Sequence, residues 1–196
     1  AFFLFIILLN IFSILIFDKH KNYDKSNVII KPGMNLEEIS EELFSKKIIK
    51  NSNLFKIWVK LSLSETKLRF GEFIFEKSNS IYDVTEKLIN GDVVFRKLTI
   101  IEGSYKYELL NILKEIDPQS SLEYGDVSDL IIADTYSYQV TDSAERILND
   151  IKKLSKDVSD KIWSERDTSI PLKSINEMFI LASIVEKETA IKNEKP

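Results

Sequence analysis

The sequence predicts an α+β chain with an N-terminal transmembrane helix, a small strand–helix–helix–strand module, further strand–helix units and a mainly helical C-terminal third. Three observations carry this expectation. Residues 1–17 are nearly all apolar, short β-branched runs alternate with capped amphipathic stretches between residues 28 and 101, and helical periodicity takes over from Asp142.

Ala1 to Phe17 carry no charge and two polar side chains, Asn10 and Ser13. As a helix they would reach about 26 Å at ~1.5 Å per residue, close to a hydrocarbon core of about 30 Å. A cleaved signal peptide is the rival reading, but Phe17-Asp18-Lys19 offers no small-residue pair for cleavage. The polar run over residues 18–27 reads as a solvated linker.

Val28-Ile29-Ile30 is the first strand expected, and Lys31-Pro32-Gly33 turns the chain into Asn35, an N-cap answered by Glu38. That helix runs to about Lys46, a second from Ser52 to about Ser62, and a strand from Arg69 to Phe75. This gives a module over residues 28–76. Ser80 with Asp83 opens the next helix, Asn90-Gly91 closes it, and Val93 to Ile101 is read as a strand before a helix ending near Ile116. Residues 77–117 thus form a second strand–helix unit. The sequence around Lys31-Pro32-Gly33 is echoed around Ile101-Glu102-Gly103, the same small unit of strand, turn and helix. Past residue 118 the pattern loosens. Asp142 with Glu145 is read as capping a helix to about Lys156, a shorter helix covers Val158 to Trp163, and Ser174 with Glu177 forms a capping box for the last one.

Composition removes several classes of chemistry. The chain has 27 basic and 31 acidic residues, a formal charge of −4 and no basic stripe on any predicted element, so nucleic acid is not an expected partner. It has no cysteine and a single histidine, His20, in a polar juxtamembrane stretch. Thiol nucleophiles, Ser-His pairs and multi-histidine zinc sites therefore drop out, and no cofactor or metal is implied. Acid–base chemistry would fall to carboxylates, lysines and tyrosines.

The last helix carries the most informative residues. At 100° per residue Met178, Leu181, Ile184 and Val185 share one face, and Glu188 falls on it with Ile184 and Leu181 one and two turns back. A carboxyl held among such neighbours would lose water, the environment that makes a general acid. The alternative is that Glu188 lies beyond the last buried turn and faces solvent. Glu186 points about 160° away by the same period.

The nine residues Ala182-Ser183-Ile184-Val185-Glu186-Lys187-Glu188-Thr189-Ala190 resemble the signature of the endolytic murein transglycosylases, the MltG/YceG-like family. Asp134-Thr135-Tyr136 resembles that family's Pro-Asp-Thr-Tyr element, with Ala133 in place of the proline. An apolar N-terminus followed by a LysM-like βααβ module completes the likeness. The resemblance implies that Glu188 is the catalytic acid and base, and that Asp134, Thr135, Tyr136 and Glu186 contact substrate. Tyr136 as a core aromatic and Asp134 as a turn-former remain alternatives. It also implies that residues 118–196 are the N-terminal part of a catalytic domain, continued past Pro196 by Asn-Arg-Leu and Gln-x-Asp-Pro-Thr segments. The activity implied is cleavage of the MurNAc–GlcNAc bond of peptidoglycan with formation of 1,6-anhydro-MurNAc. Glycan strands are the implied partner, cell-wall synthesis proteins are candidate partners, and the location is the inner membrane with the catalytic part extracytoplasmic.

Two other readings differ in class. An anchored module that binds peptidoglycan without cutting it needs the same fold and no acid. A serine acyl transferase would rest on Ser64-Glu65-Thr66-Lys67, a match to S-x-x-K without a following Lys-Thr-Gly, or on Ser183 and Lys187 one helical turn apart.

Overall fold

A computed structural model describes residues 2–21, 25–76 and 78–188. The chain forms two compact units, one of residues 1–95 with 139–141, the other of residues 96–138 with 142–196.

The first unit is built on two antiparallel strands, β2 (Ser26–Ile30) and β3 (Gly71–Phe75), with Val28 opposite Phe73 and Ile30 opposite Gly71. Helices α2 (Leu36–Ser45) and α3 (Ser52–Leu61) lie between them in sequence, and α4 (Ile81–Asn90) follows. Strand alternation sends Val28, Ile30, Phe73 and Phe75 inward, where they meet Leu43 of α2, Phe55 of α3 and Leu88 of α4, all essentially inaccessible. Thus α4, expected in a separate second unit, completes the core of the first. The caps are those the sequence specifies. Asn35 Oδ1 accepts from Glu38 N at 3.0 Å and Glu38 returns the bond to Asn35 N at 2.8 Å, while Ser80 and Asp83 do the same at the start of α4. Gly91 ends α4 at φ 72°, the left-handed conformation that favours glycine.

The N-terminal region corrects the sequence expectation of a transmembrane helix. Helix α1 (Phe2–Phe17) has 16 residues, about 24 Å at ~1.5 Å per residue, and among the described residues no helix is long and apolar enough to cross a membrane. Its end is instead built into the unit: Ile16 is fully buried in the core, and Phe17 meets Trp58 and Tyr82 at ring-centroid distances of 6.2 and 5.1 Å. Within residues 18–27, expected as a solvated linker, residues 22–24 lie outside the described residues, and short strands occupy part of the rest. His20–Lys21 forms a short strand, β1, paired with β4 (Ser78–Asn79), and β2 starts at Ser26.

The second unit pairs β5 (Arg96–Thr99) with β6 (Thr135–Tyr138), antiparallel, beside α5 (Lys106–Ile116), α6 (Ala144–Glu165) and α7 (Ile175–Glu188). Leu98, Leu113, Tyr136, Leu148 and Ile151 are at the centre of its core. The strand expected over 93–101 is shorter, because Val93 makes only an isolated bridge to Phe73 in the first unit. The two helices expected over 142–163 are one, α6, capped by Ser143 rather than Asp142: Ser143 Oγ accepts from Arg146 N at 3.3 Å. Ser155 and Ser159, on either side of the expected junction, are buried, and their hydroxyls find partners inside.

The echoed turns share a geometry. Met34 N bonds Lys31 O at 3.3 Å and Ser104 N bonds Ile101 O at 3.1 Å, around Gly33 (φ 85°) and Gly103 (φ 78°). Each is a four-residue turn with a left-handed glycine at its third position, the type II arrangement. Each then meets a glutamate that closes onto the backbone at the helix start, Glu38 and Glu108.

Candidate functional site

The second unit contains an open cavity of about 1370 Å³. Its walls are the Glu102–Tyr105 turn, residues 128–133, Val158, Ser159 and Ile162 of α6, and much of α7, including Glu186, Lys187 and Glu188. The cavity therefore brings together the carboxylates that the sequence singled out on the last helix.

Helix α7 begins where expected, with a shift in its capping. Glu177 N donates to Ser174 Oγ at 3.2 Å, but the Glu177 carboxylate reaches back to Lys173 N at 2.7 Å, one residue beyond the box. The expected core-facing stripe is corrected. No residue of α7 is buried, and Leu181 and Ile184 are 46% and 53% exposed. Periodicity places these residues on one side of the helix, but that side is only partly covered: Met178 and Val185 are half-buried, while Leu181 and Ile184 are exposed. Glu188 accordingly faces solvent at the cavity, the alternative left open by the sequence, while Glu186 is partly buried. Thr189 and Ala190, the end of the nine-residue motif, lie outside the described residues.

Asp134, Thr135 and Tyr136 do not line the cavity, whose wall from this segment ends at Ala133. Asp134 and Thr135 are exposed; the Asp134 carboxylate accepts from Thr135 N at 2.6 Å, and the Thr135 and Thr99 hydroxyls bond across the strand pair at 3.0 Å. Tyr136 is buried in the core, the alternative that the sequence left open for it. Its hydroxyl donates to Ile132 O at 2.7 Å and lies 3.2 Å from Ser155 Oγ, which in turn accepts from Ile132 N at 3.1 Å. Both backbone groups of Ile132, a cavity-lining residue, are thereby held from behind. Burial pushes the Tyr136 phenol up from its ordinary value; the Ser155 hydrogen bond opposes this and the nearby Asp134 carboxylate adds to it.

Sequence reasoning missed two contributors, Ser155 and the Gly103–Tyr105 turn. The signal for Ser155 was a polar residue one helical turn after Ile151 on the buried side of α6. Ser183 and Lys187 are not brought together as a Ser-Lys pair. Ser183 Oγ donates to Ile180 O, and Lys187 Nζ donates to Gly103 O at 2.8 Å. Ser64 is buried, with its hydroxyl bonded to Ser62. Among the described residues no group of three or more His, Asp or Glu side chains is arranged to hold a metal ion.

These features define a two-unit α+β protein with an open groove in its second unit, lined by Glu186, Lys187 and Glu188 of one helical turn together with Glu102, Asp129 and Asn176. The model of the YceG-like family matches residues 28–196, and the chain belongs to that family, a family of lytic transglycosylases acting on peptidoglycan. Among solved structures it is similar to a YceG-like protein of Listeria monocytogenes, with 21% identity, a TM-score of 0.36 and coverage of 86% of this chain. The chain spans 66% of the length of that protein. No curated protein sequence matches it.

Proposed function

We propose that this chain carries the acid–base residue of an endolytic peptidoglycan lytic transglycosylase, and that Glu188 is that residue. The observation that supports it best is the position of Glu188 in the family's nine-residue motif, on the helix that lines the open groove.

Cleavage begins when the Glu188 carboxyl protonates the oxygen bridging MurNAc and GlcNAc, so that the bond from the MurNAc anomeric carbon to that oxygen breaks. The resulting carboxylate then takes the proton from the 6-hydroxyl of the same MurNAc as its oxygen bonds to the anomeric carbon. Ring closure gives the 1,6-anhydro sugar and returns the proton to Glu188. One carboxyl suffices because the nucleophile is already attached to the sugar, and intramolecularity replaces the second carboxylate and water of a hydrolase. The exposure of Glu188 fits this scheme if the strand itself fills the groove. Covering any carboxyl removes its water and favours the neutral, proton-donating form. Under this reading the groove works outside the cytoplasm, where glycan strands are found.

Digestion of purified glycan strands followed by mass spectrometry tests the proposal. Products one water lighter than the hydrolytic ones, bearing anhydro ends, are expected. Products with reducing ends, or an intact polymer with bound protein, would refute it, the latter in favour of a binding module.

A further inference from the structure

We infer that Lys187 is a positioning residue, clamped by the Gly103 turn so that the last turn of α7, and Glu188 with it, is held against the groove. The inference rests on the proposed role of Glu188 for its functional meaning, but the clamp itself is visible without it.

Helix α7 has no fully buried side chain, and at its end Val185 and Glu186 are half-buried, so directional contacts there add to what packing fixes. Lys187 supplies two contacts from that end. Its ammonium donates to the Gly103 carbonyl at 2.8 Å and sits 4.5 Å from the centre of the Tyr105 ring. Tyr105 is itself braced by Tyr107, their rings stacked at 5.5 Å and 13°. At φ 78° Gly103 takes a backbone conformation that side-chain-bearing residues resist, and a Cβ there would stand 3.4 Å from Lys187 Nζ. The matching turn in the first unit, at Gly33, has nothing within 4 Å of the same position. One local motif thus serves as a plain connection in one unit and as a socket for a cation in the other.

Lys187 also stands in the last turn of α7, where a positive charge complements the helix carbonyls. Its neighbours in sequence, Glu186 and Glu188, both line the groove. Fixing the ammonium between a carbonyl and a ring restricts the rotation and fraying of the helical turn that carries the acid, and misplacement of a catalytic group by about 1 Å costs up to ~10²-fold in rate.

The test uses the full-length protein with Lys187→Met, Lys187→Arg and Tyr105→Leu, read by hydrogen exchange and by steady-state cleavage of glycan strands. Lys187→Met and Tyr105→Leu should each speed exchange of the amides of residues 184–188 by about fivefold, the factor for ~1 kcal/mol. The double variant should be no worse than the worse single one, since both remove the same contact. In cleavage, Lys187→Met should lower kcat by about tenfold or more with KM nearly unchanged. Lys187→Arg, which keeps a donor and a ring contact, should recover most of the rate. Unchanged exchange in Lys187→Met would overturn the clamp, and so would additive losses in the double variant. Faster exchange with unchanged kcat, or a change confined to KM, would overturn its positioning role. A wild-type protein that releases no anhydro product would instead refute the functional reading, and exchange would still decide the clamp.

Discussion

Replacing Tyr136 by Phe separates a residue that builds the groove wall from one that touches substrate. The substitution keeps the ring in the core and removes the hydroxyl that donates to Ile132 O at 2.7 Å and meets Ser155 Oγ at 3.2 Å. The half-buried Ile132 carbonyl then loses its side-chain donor, at a cost of about 1–2 kcal/mol. For a chain of this size, about 2 kcal/mol lowers Tm by roughly 4–8 °C at neutral pH. The advantage of wild type should also depend on pH, with a definite sign. Burial raises the phenol above its ordinary value of 10.0, so the folded protein holds this proton more tightly than the unfolded chain. The stabilisation from the neutral phenol is complete below about pH 10 and is lost as pH rises through the folded value. Chemical denaturation followed by circular dichroism should therefore show a gap between wild type and Tyr136→Phe that is constant from pH 7 to about 9 and shrinks above 10. Cleavage by the folded variant should keep the wild-type KM. Equal stability at pH 7, a gap that widens with alkalinity, or a large rise in KM without loss of Tm would refute this reasoning.

Two further predictions test the first unit. Gly71 lies at φ 138°, and a Cβ there would stand 2.5 Å from Val93 Cγ1, so Gly71→Ala combines backbone strain with overpacking and should cost about 3 kcal/mol. A denaturation midpoint equal to wild type would show that the contact is loose. Asn35→Ala removes the acceptor for Glu38 N and should cost about 1 kcal/mol, measured the same way; no loss would mean that water or the remaining Glu38 contact caps α2 as well.

The features legible in the sequence are those decided within a few residues. Asn35 with Glu38, Ser80 with Asp83 and the glycine at 91 announced helix ends because caps are local chemistry, and the two echoed turns were visible because Gly33 and Gly103 each follow a residue suited to the second turn position. Expectations that depended on distant partners failed. The run from Phe2 to Phe17 is apolar enough to suggest a span, but hydropathy does not reveal that Ile16 joins a core with Leu43 and Phe55. The wheel of α7 grouped Leu181, Ile184 and Glu188 correctly by angle, yet angle says nothing of what lies opposite. The run of α6 through Asp157 and the partners of its buried Ser155 and Ser159, Ile132 N for one and Ser155 O for the other, cannot be read from local polarity. The contact between Lys187 and Gly103 spans 84 positions and leaves no trace in local spacing.

The central claim is that Glu188 exchanges the proton in glycan cleavage, and the rate of 1,6-anhydro end formation by Glu188→Gln in the full-length protein tests it most directly. Glutamine keeps the size of the side chain but can neither donate nor accept that proton, so the rate should fall by at least the ~10²-fold typical of general acid–base catalysis. Because Glu188 is exposed, Tm should stay within about 1 °C of wild type, a surface substitution away from the core costing little. Glu186→Gln, on the same turn and partly buried, should lose less activity. Wild-type rates in Glu188→Gln, or a loss confined to Glu186→Gln, would contradict the account.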